Sequence, residues 1–537
     1  MNRPPRFPAG LVLYPHSFRN WSGETRVPHV WTCAPVTPQD VVTLANWAHA
    51  EGWRLRPAGK AHNWSPLVVD EDTGGEVLLV DTTQYLTRVR VHACEPDGSG
   101  SVTAETGVTV EALLSALEAA GQGLTAVPAT GEPTLGGVLA VGAHGAGVPA
   151  PGEQPSPGSS FGSLSDRVLS LTAVVWNADR GGYELRVFDR TDAESGPLLT
   201  CLGRMFLTEV TLRTEPDRRL RCVSHCEARA SDVFAAPAER RPGSFAELLE
   251  RTGRAELLWW PFTDTTWIKS WSVTPVKPEL SREVDSPYNY SFTDRLPEEA
   301  SELVRKIVRG QGELTPAFCA AQSESIRAGL AATAAHDLWG WSKNLLLYLR
   351  PSALRMTTNG YAVVTARGEV QRGVSEFQSF LADLVERYRE RGEYPMNGPL
   401  EIRVTGTDTA PGADPLLSPV RPDPDHPEWD VAVWLDVVTL PGTPSSGPFY
   451  REIEEWVFTT FTGDRGVVRP EWSKGWAYTD GRGPWSNARV IAETIPEAFP
   501  DWSAVCAALT SLDPHAVFDS AFVSGLLHGP SLVGARR

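Results

Sequence analysis

Apolar residues recur every three or four positions in two stretches near the start of the chain, which predicts two helices there. The first helix covers residues 37–52, where Thr37 can cap the first turn and Gly52 can end the last one. Its apolar face consists of Val41, Leu44, Ala45 and Ala48. Residues 109–121 repeat this pattern, and their apolar positions are Leu113, Leu117 and Ala120.

Short apolar runs between and after these helices predict β-strands. They cover residues 53–56, 77–80, 168–176 and 206–213. Strands that alternate with helices indicate a small mixed sheet flanked by helices, so we expect an α+β fold for this part of the chain.

The character of the sequence changes near residue 225, where Trp and Arg become frequent. A helix is predicted over Ser375–Arg391 and a strand over Leu400–Thr405. Because 537 residues exceed what one hydrophobic core usually serves, we expect two domains, the second one built on an antiparallel sheet with helices. The expected segments are 1–224 for the first domain and 225–465 for the second, with 466–537 returning to the first.

Composition excludes some classes of function. The formal net charge is −17, which argues against a nucleic-acid partner because phosphate binding needs clustered Lys and Arg. No apolar run is long enough to span a membrane, and the first residues show no export signal. We therefore expect a cytoplasmic protein, or a secreted one whose leader is absent from this chain. The seven cysteines form no CxxC pair, and no metal site is expected.

Two glycine-containing loops are candidates for binding an anion. The first is Pro57–His62 at the end of a predicted strand, and the second is the glycine-rich run Thr134–Gly147. Glycine lets backbone N–H groups approach a phosphate without a Cβ in the way. There is no GxxxxGK[ST] loop and no GxGxxG between a strand and a helix. Each loop alone is equally consistent with a tight turn, but together they favour a dinucleotide.

Three polar sets after residue 225 are candidates for chemistry. Glu401 and Arg403 share one face of a predicted strand, although such a pair is often a surface salt bridge. Glu471 and Lys474 form the second set, with a solvated turn as the alternative. Glu256 lies alone in an apolar run, where burial would raise its pKa and suit it as a base; a strand-edge glutamate is the alternative.

Several long motifs resemble those of the vanillyl-alcohol oxidase-type FAD-linked oxidases. The resemblance is carried by RPAGKAHNWSP at 56–66, AETGVTVEALL at 104–114, the run 134–147 and FGSLSDRVLSLTAVV at 161–175. Further on, WGWSKNLLLY at 339–348, NGPLEIRVTG at 397–406 and EWSKGW at 471–476 are most similar to the class II, covalent-flavin cholesterol oxidases. The motifs keep the family's order from about residue 7 to about residue 521.

The resemblance implies a bound FAD and assigns roles to matching positions. His62 stands where the family bonds a histidine to the flavin ring, and His144 is the rival for that bond. The implied cofactor-binding residues are Pro57, Ala58, Gly59, Lys60, Ala61, His62, Asn63, Thr134, Gly136, Gly137, Gly142, His144, Gly145 and Ser165. The implied catalytic residues are Glu401, Arg403, Glu256, Glu471 and Lys474, with Arg403 gating a channel for oxygen.

The function that the resemblance implies is oxidation of a bulky secondary alcohol, such as a sterol, with oxygen reduced to hydrogen peroxide. A base among Glu256 and Glu401 would also shift a ring double bond. Lys60 in the first loop and the absence of a leader depart from the family pattern. Two alternatives remain. One is a dehydrogenase or oxidase of the same fold that acts on another alcohol, such as a terpenoid or a natural-product intermediate, and the other is a non-catalytic steroid- or lipid-binding protein. The sequence does not indicate an oligomeric state.

Overall fold

The computed structural model describes residues 3–70, 73, 75–96, 98–239, 241–293, 298–350 and 353–529. Residues 1–2 and 530–537, the outermost parts of the two expected terminal segments, lie outside the described residues. The expected α+β organisation in two domains is confirmed. Within the described ranges, no helix combines the length and apolar character needed to cross a bilayer.

The first domain contains two sheets. The first sheet has the strand order β1-β2-β4-β3, in which only β1 and β2 are antiparallel. The second sheet is antiparallel in the order β5-β6-β10-β8-β9, with β7 also paired to β10. The strands are β1 Leu13–Arg19, β2 Arg26–Cys33, β3 Arg54–Ala58, β4 Val77–Asp81, β5 Val89–Val91, β6 Gly100–Glu105, β7 Gln122–Gly123, β8 Val168–Asn177, β9 Gly182–Asp189 and β10 Phe206–Pro216.

The second domain is built on one large sheet with the order β14-β15-β11-β13-β12-β17-β18-β16-β19. Neighbouring strands are antiparallel except for β14 and β15. The strands are β11 Arg219–Arg229, β12 Arg254–Trp259, β13 Thr265–Val273, β14 Arg282–Val284, β15 Asp337–Trp341, β16 Thr357–Thr365, β17 Leu400–Gly406, β18 Val431–Thr439 and β19 Val467–Pro470.

Side-chain caps mark the starts of several helices, among them α1 and α2. The first, α1 Pro38–Glu51, has Thr37 as its N-cap and Gly52 in the left-handed conformation at its end, as expected. The predicted helix at 109–121 is α2 Val110–Ala119. The others are α3 Leu135–Ala140, α4 Gly196–Leu199, α5 Ala230–Val233, α6 Phe245–Thr252, α7 Glu298–Val308, α8 Thr315–Thr333, α9 Ser342–Leu346, α10 Val370–Glu390, α11 Ser446–Thr460, α12 Ile495–Glu497, α13 Trp502–Leu512 and α14 Ala521–His528.

One helix is longer than predicted. The sequence pattern places its start at Ser375, whereas α10 begins at Val370. Val370 and Val374 are buried, so they extend the apolar face by one further turn. The prediction used only the apolar positions after Ser375, and these do not indicate the preceding turn.

The C-terminal segment packs against the first domain. The backbone N–H of Leu55 in β3 donates to the carbonyl of Val517 at 2.7 Å. Asp513 accepts from the buried side chains of Arg204 and Tyr183. The domain boundaries at 224/225 and 465/466 stay a prediction, since β11 runs through the first position and β19 follows directly after the second.

Candidate active site

A cavity of about 350 Å³ lies where the two domains meet. It is lined by the loop after β3, by α3 and the loop that follows it, by β17 and by residues 471–474. Both glycine-containing loops and two of the three polar sets from the sequence therefore face one space.

The first loop turns sharply at the end of β3, and residues 57–63 all line the cavity. Ala61 adopts φ of 50°, in the left-handed region, and sets the direction in which the chain reaches His62. Gly59 lies so close to the second loop that a Cβ on it would sit 2.3 Å from Oγ1 of Thr134. The two loops thus form one cradle that depends on the missing side chain.

The second loop begins as a helix N-terminus pointing at the cavity. Thr134 caps α3 by accepting a hydrogen bond from the N–H of Gly137 at 3.4 Å. A Cβ on Gly136 would lie 2.9 Å from Cβ of Thr106. The missing side chain at Gly136 leaves space for the close approach of an anion such as a diphosphate to this end of α3. The cofactor-binding residues predicted in this loop that line the cavity are Thr134, Gly136, Gly137, Gly142 and His144.

His62 is held from several sides. Its ring packs on Trp21 with the ring centroids 5.0 Å apart. The N–H groups of Trp64 and Ser65 both donate to the carbonyl of Ser473, at 2.7 and 3.1 Å. Nδ1 of His62 is shielded from solvent and has no hydrogen-bonding partner among the described residues. Burial, followed by the positive charge of Lys474, lowers the pKa of His62 to about 4, so its imidazole is neutral at pH 7.

Arg403 is the centre of a group of charged side chains. Its Nη2 donates to Oε2 of Glu401 at 2.6 Å, and its Nε donates to Oε1 of Glu256 at 3.0 Å. A third carboxylate, Asp436, lies 3.4 Å from Nη2. Burial opposes the charge on Arg403, but Glu256, Glu401 and Asp436 outweigh it and hold the pKa well above its usual value. Arg403 and Glu401 both line the cavity.

The expected raised pKa of Glu256 is wrong. Burial does act in that direction, but Lys269 and Arg403 outweigh it and the pKa is lowered. Its carboxylate also accepts from the Tyr348 hydroxyl at 2.8 Å. Glu256 is not among the described residues that line the large cavity, because Arg403 lies between them. The catalytic role predicted for Glu256 stays a prediction, and its lowered pKa and its place outside the cavity lining do not favour it.

Glu471 and Lys474 form an ion pair in the wall of the cavity. Lys474 Nζ lies 2.9 Å from Oε2 of Glu471 and also contacts Asp436. Burial raises the pKa of Glu471, but Lys474 and then His144 outweigh it, so the net direction is downward. Nε2 of His144 lies 3.8 Å from Oε1 of Glu471, and its ring stacks on Trp434 with centroids 3.4 Å apart. The turn is therefore buried rather than solvated.

Two expected cofactor-binding residues lie outside the cavity lining. Ser165 is buried and donates to the carbonyl of Leu139 at 3.0 Å, which fixes the end of α3. A Cβ on Gly145 would lie 2.7 Å from the carbonyl oxygen of Val127, so this glycine allows two backbone segments to approach. Among the described residues, neither lines the large cavity.

Sequence reasoning missed several residues of the site, namely Trp21, Lys269, Tyr348 and Asp436. The scarcity of lysine is a usable signal, since Lys269 and Lys474 are both buried in a chain with only six lysines. Asp436 is a single carboxylate within the apolar strand β18, as Glu256 is in β12. The contact of Trp21 with His62 depends on the long-range fold and has no local signal.

The lining residues fit a flavin dinucleotide. A glycine-lined cradle at a helix N-terminus suits the diphosphate, and the uncharged, unpartnered Nδ1 of His62 suits a bond to carbon. The partly buried cation of Arg403 and the buried cation of Lys474 suit a ring that gains negative charge on reduction.

Comparison with known proteins agrees with this geometry. Residues 31–177 match a model described as an FAD binding domain, and residues 219–528 match the model of the cholesterol oxidase substrate-binding domain. A solved structure named solvent-stable cholesterol oxidase superposes with a TM-score of 0.95 at 49% identity, covering 98% of this chain and 100% of the other. The cholesterol oxidase of Brevibacterium sterolicum gives a TM-score of 0.95 at 40% identity, covering 98% and 99%.

More distant relatives match only in part. The mitochondrial L-galactono-1,4-lactone dehydrogenase of Brassica oleracea is 26% identical over 283 residues, which is 50% of this chain and 41% of that protein. The enzyme of Arabidopsis thaliana is 23% identical over 250 residues, or 47% and 36%. The chain thus spans less than half of these relatives. By contrast, the substrate-domain model alone covers more than half of the chain and the solved structures cover nearly all of it, so the chain belongs to the cholesterol oxidase family of vanillyl-alcohol oxidase-type, FAD-dependent oxidoreductases.

Proposed function

We propose that this enzyme oxidises the secondary hydroxyl of a sterol, such as cholesterol, to the ketone and reduces oxygen to hydrogen peroxide. One observation supports this most strongly: the Glu401–Arg403 pair lines the same cavity as His62 and the glycine cradle. In this arrangement the polar pair would hold the substrate hydroxyl and His62 would hold the cofactor, so the alcohol carbon and the cofactor would lie close together.

The side chains between the polar sets suit an apolar substrate. The apolar residues that line the cavity include Pro128, Ala129, Leu349, Leu354, Met356 and Val438. Ligand sites of this kind combine a mostly apolar wall with a few convergent polar groups. A rigid polycyclic alcohol with one hydroxyl meets that description, because only its hydroxyl needs a polar partner.

The cofactor-binding residues hold FAD in place for the reaction. Residues 57–63 and 134–144 hold the dinucleotide, and His62 tethers it through a ring nitrogen. FAD held there would supply the hydride acceptor for the alcohol carbon and the donor of two electrons to oxygen. The protein's share is to orient the substrate and to manage the hydroxyl proton.

Glu401 is the group best placed to take the hydroxyl proton. Its side chain is 25% exposed, whereas the side chains of Glu256 and Glu471 are 4% and 13% exposed. Arg403 binds Oε2 of Glu401, which leaves Oε1 to accept. The same carboxylate would then move a proton between ring carbons if the product double bond shifts into conjugation. Arg403 supplies fixed positive charge beside the reacting atoms and controls the approach of oxygen.

The direct test is a screen for peroxide release under air by the purified holoenzyme. Sterols with a free ring hydroxyl, their acetylated forms and unrelated terpenoid alcohols make up the panel. We expect peroxide with free sterols and none with the acetylated forms. Turnover only with an added quinone or protein acceptor would make the enzyme a dehydrogenase. Sterol binding without turnover would leave the proposal without support.

A further inference from the structure

Asp436 occupies an unusual place in the buried charge network. It lies on β18 directly opposite Glu401 of β17 on one side and Gly360 of β16 on the other. Its Oδ2 contacts both Lys474 and Arg403, while Oδ1 has no hydrogen-bonding partner among the described residues. The residue is 1% exposed, so bulk water does not supply the missing hydrogen bond to Oδ1.

The strand next to Asp436 offers no donor to Oδ1. A Cβ on Gly360 would lie 2.6 Å from Oδ1 of Asp436 and 2.7 Å from Cδ of Lys474. The N–H of Gly360 points elsewhere, to the carbonyl of Gly475 at 3.3 Å. An ionised carboxylate therefore has one oxygen stabilised twice and the other not at all.

Counting the charged side chains in mutual contact shows an imbalance. Three cations, Lys269, Arg403 and Lys474, face four carboxylates, Glu256, Glu401, Asp436 and Glu471. His144 adds no positive charge at pH 7, since burial lowers its pKa. One negative charge is in excess in a site largely removed from water, where an uncompensated charge is costly.

The excess is relieved most easily by a proton on one carboxyl group. Glu256 has three donors, Glu471 is bound by Lys474 and lies beside His144, and Glu401 borders the cavity. That leaves Asp436, which shares both of its cations with other carboxylates. Burial, with a contribution from Glu471, raises the pKa of Asp436 to about 7, in agreement with this choice.

Ionisation of Asp436 would change the position of Arg403. Its Nη2 lies 2.6 Å from Glu401 but 3.4 Å from Asp436, so Glu401 is now the nearer partner. A full negative charge on Asp436 would draw the guanidinium toward β18 and weaken its bond to Glu401. The structure thus links the protonation of a residue outside the cavity to a pair that lines it.

We propose that Asp436 is a positioning residue that carries a proton on Oδ1 in the resting holoenzyme, and that loss of this proton shifts Arg403 away from Glu401. The inference deepens the proposed function, on which it rests for the role of the Arg403–Glu401 pair. The location of the proton itself does not depend on the substrate, so it is tested without turnover.

The test compares thermal unfolding of the wild-type holoenzyme and Asp436→Asn from pH 5 to pH 8. An unfolded aspartate ionises near pH 4. Native Asp436 keeps its proton to about pH 7, so wild-type stability falls relative to the variant as pH rises through this window. We expect the difference in Tm, variant minus wild type, to grow by about 2 °C between pH 5 and 7 and then to stay constant. A flat difference contradicts the proposal.

The matched control is Asp425→Asn, which changes an exposed aspartate. Its Tm difference from wild type stays constant over the same range. A Tm difference that grows with pH for Asp436→Asn but stays constant for Asp425→Asn excludes a general effect of removing a carboxylate.

A second measurement covers the case in which Asp436→Asn does not fold. Holoenzyme labelled with ¹³C in the aspartate carboxyl groups gives a carboxylic-acid carbonyl band that glutamate does not share. Glu401→Gln removes one negative charge and balances the network, so Asp436 loses its proton. We expect the labelled acid band at pH 6.5 to be weaker in Glu401→Gln than in wild type. A band of equal intensity in both proteins contradicts the proposal whatever the activity.

Discussion

Glu256 and Arg403 lie directly opposite each other on adjacent antiparallel strands, and Nε of Arg403 donates to Oε1 of Glu256 at 3.0 Å. On the other side of β12, Lys269 lies opposite Glu256 and contacts its second oxygen. A row of alternating charges thus crosses the sheet behind the cavity. Through this row Glu256 holds Arg403 in position from behind the cavity.

Removing the charge of Glu256 leaves Lys269 buried without a carboxylate partner. We expect Glu256→Gln to lower the free energy of unfolding by about 3–5 kcal/mol, the usual cost of breaking a buried pair. The double variant Glu256→Met, Lys269→Met removes both charges and is expected to recover most of this loss. Denaturant unfolding of the three proteins measures both effects. A cost below about 1 kcal/mol, as for an exposed pair, would show that Glu256 is not ionised here.

Glu401→Gln tests the proton-accepting role. The amide keeps the size of the side chain and its contact with Arg403 but cannot accept the hydroxyl proton. We expect kcat for peroxide release to fall by at least about 10²-fold. Glu493→Gln, at an exposed glutamate, is the control. If turnover of Glu401→Gln stays close to wild type, the role passes to Glu471.

Arg403 is expected to act in the half-reaction with oxygen. In Arg403→Ala the positive charge beside the cofactor is lost, and we expect reoxidation of the reduced enzyme by oxygen to slow by about tenfold or more, which corresponds to about 1.4 kcal/mol or more. Arg403→Lys keeps the charge and separates this effect from loss of shape. Stopped-flow mixing with oxygenated buffer measures the rate. Unchanged oxygen kinetics in Arg403→Ala would remove Arg403 from this step.

Gly59→Ala tests the contact between the two loops. The new Cβ would lie 2.3 Å from Oγ1 of Thr134, so the loops must move apart. We expect the affinity of the apoprotein for FAD to fall by about tenfold, which corresponds to about 1.4 kcal/mol, and the flavin content of the purified protein to fall with it. Gly481→Ala is the control, because a Cβ there meets no atom within 4 Å. Full flavin content in Gly59→Ala would mean that the loops do not form one cradle.

Local sequence signals sufficed for much of the fold. Thr37 and Gly52 mark the two ends of α1, because a side-chain cap and a left-handed glycine are encoded within a few residues. The spacing of Glu401 and Arg403 correctly placed both on one face of a strand. Such features depend on neighbours along the chain.

The surroundings of several site residues could not be predicted, because they depend on contacts between distant segments of the chain. Glu256 has the pattern of a lone buried acid, and only the pairing of β12 with β13 and β17 brings Lys269 and Arg403 to it. In the same way, the sequence predicts that Ser165 binds the cofactor, whereas in the structure its hydroxyl donates to the carbonyl of Leu139. Register between strands far apart in sequence decides these environments, and periodicity does not encode it.

The covalent bond between His62 and the flavin is the most direct test of this account. Acid precipitation of the wild-type holoenzyme should leave a yellow pellet, whereas His62→Ala should release its FAD into the supernatant. His144→Ala, in the other loop, should still give a yellow pellet. Flavin that stays with the precipitated His62→Ala protein, or that leaves the wild-type protein, would contradict the attachment.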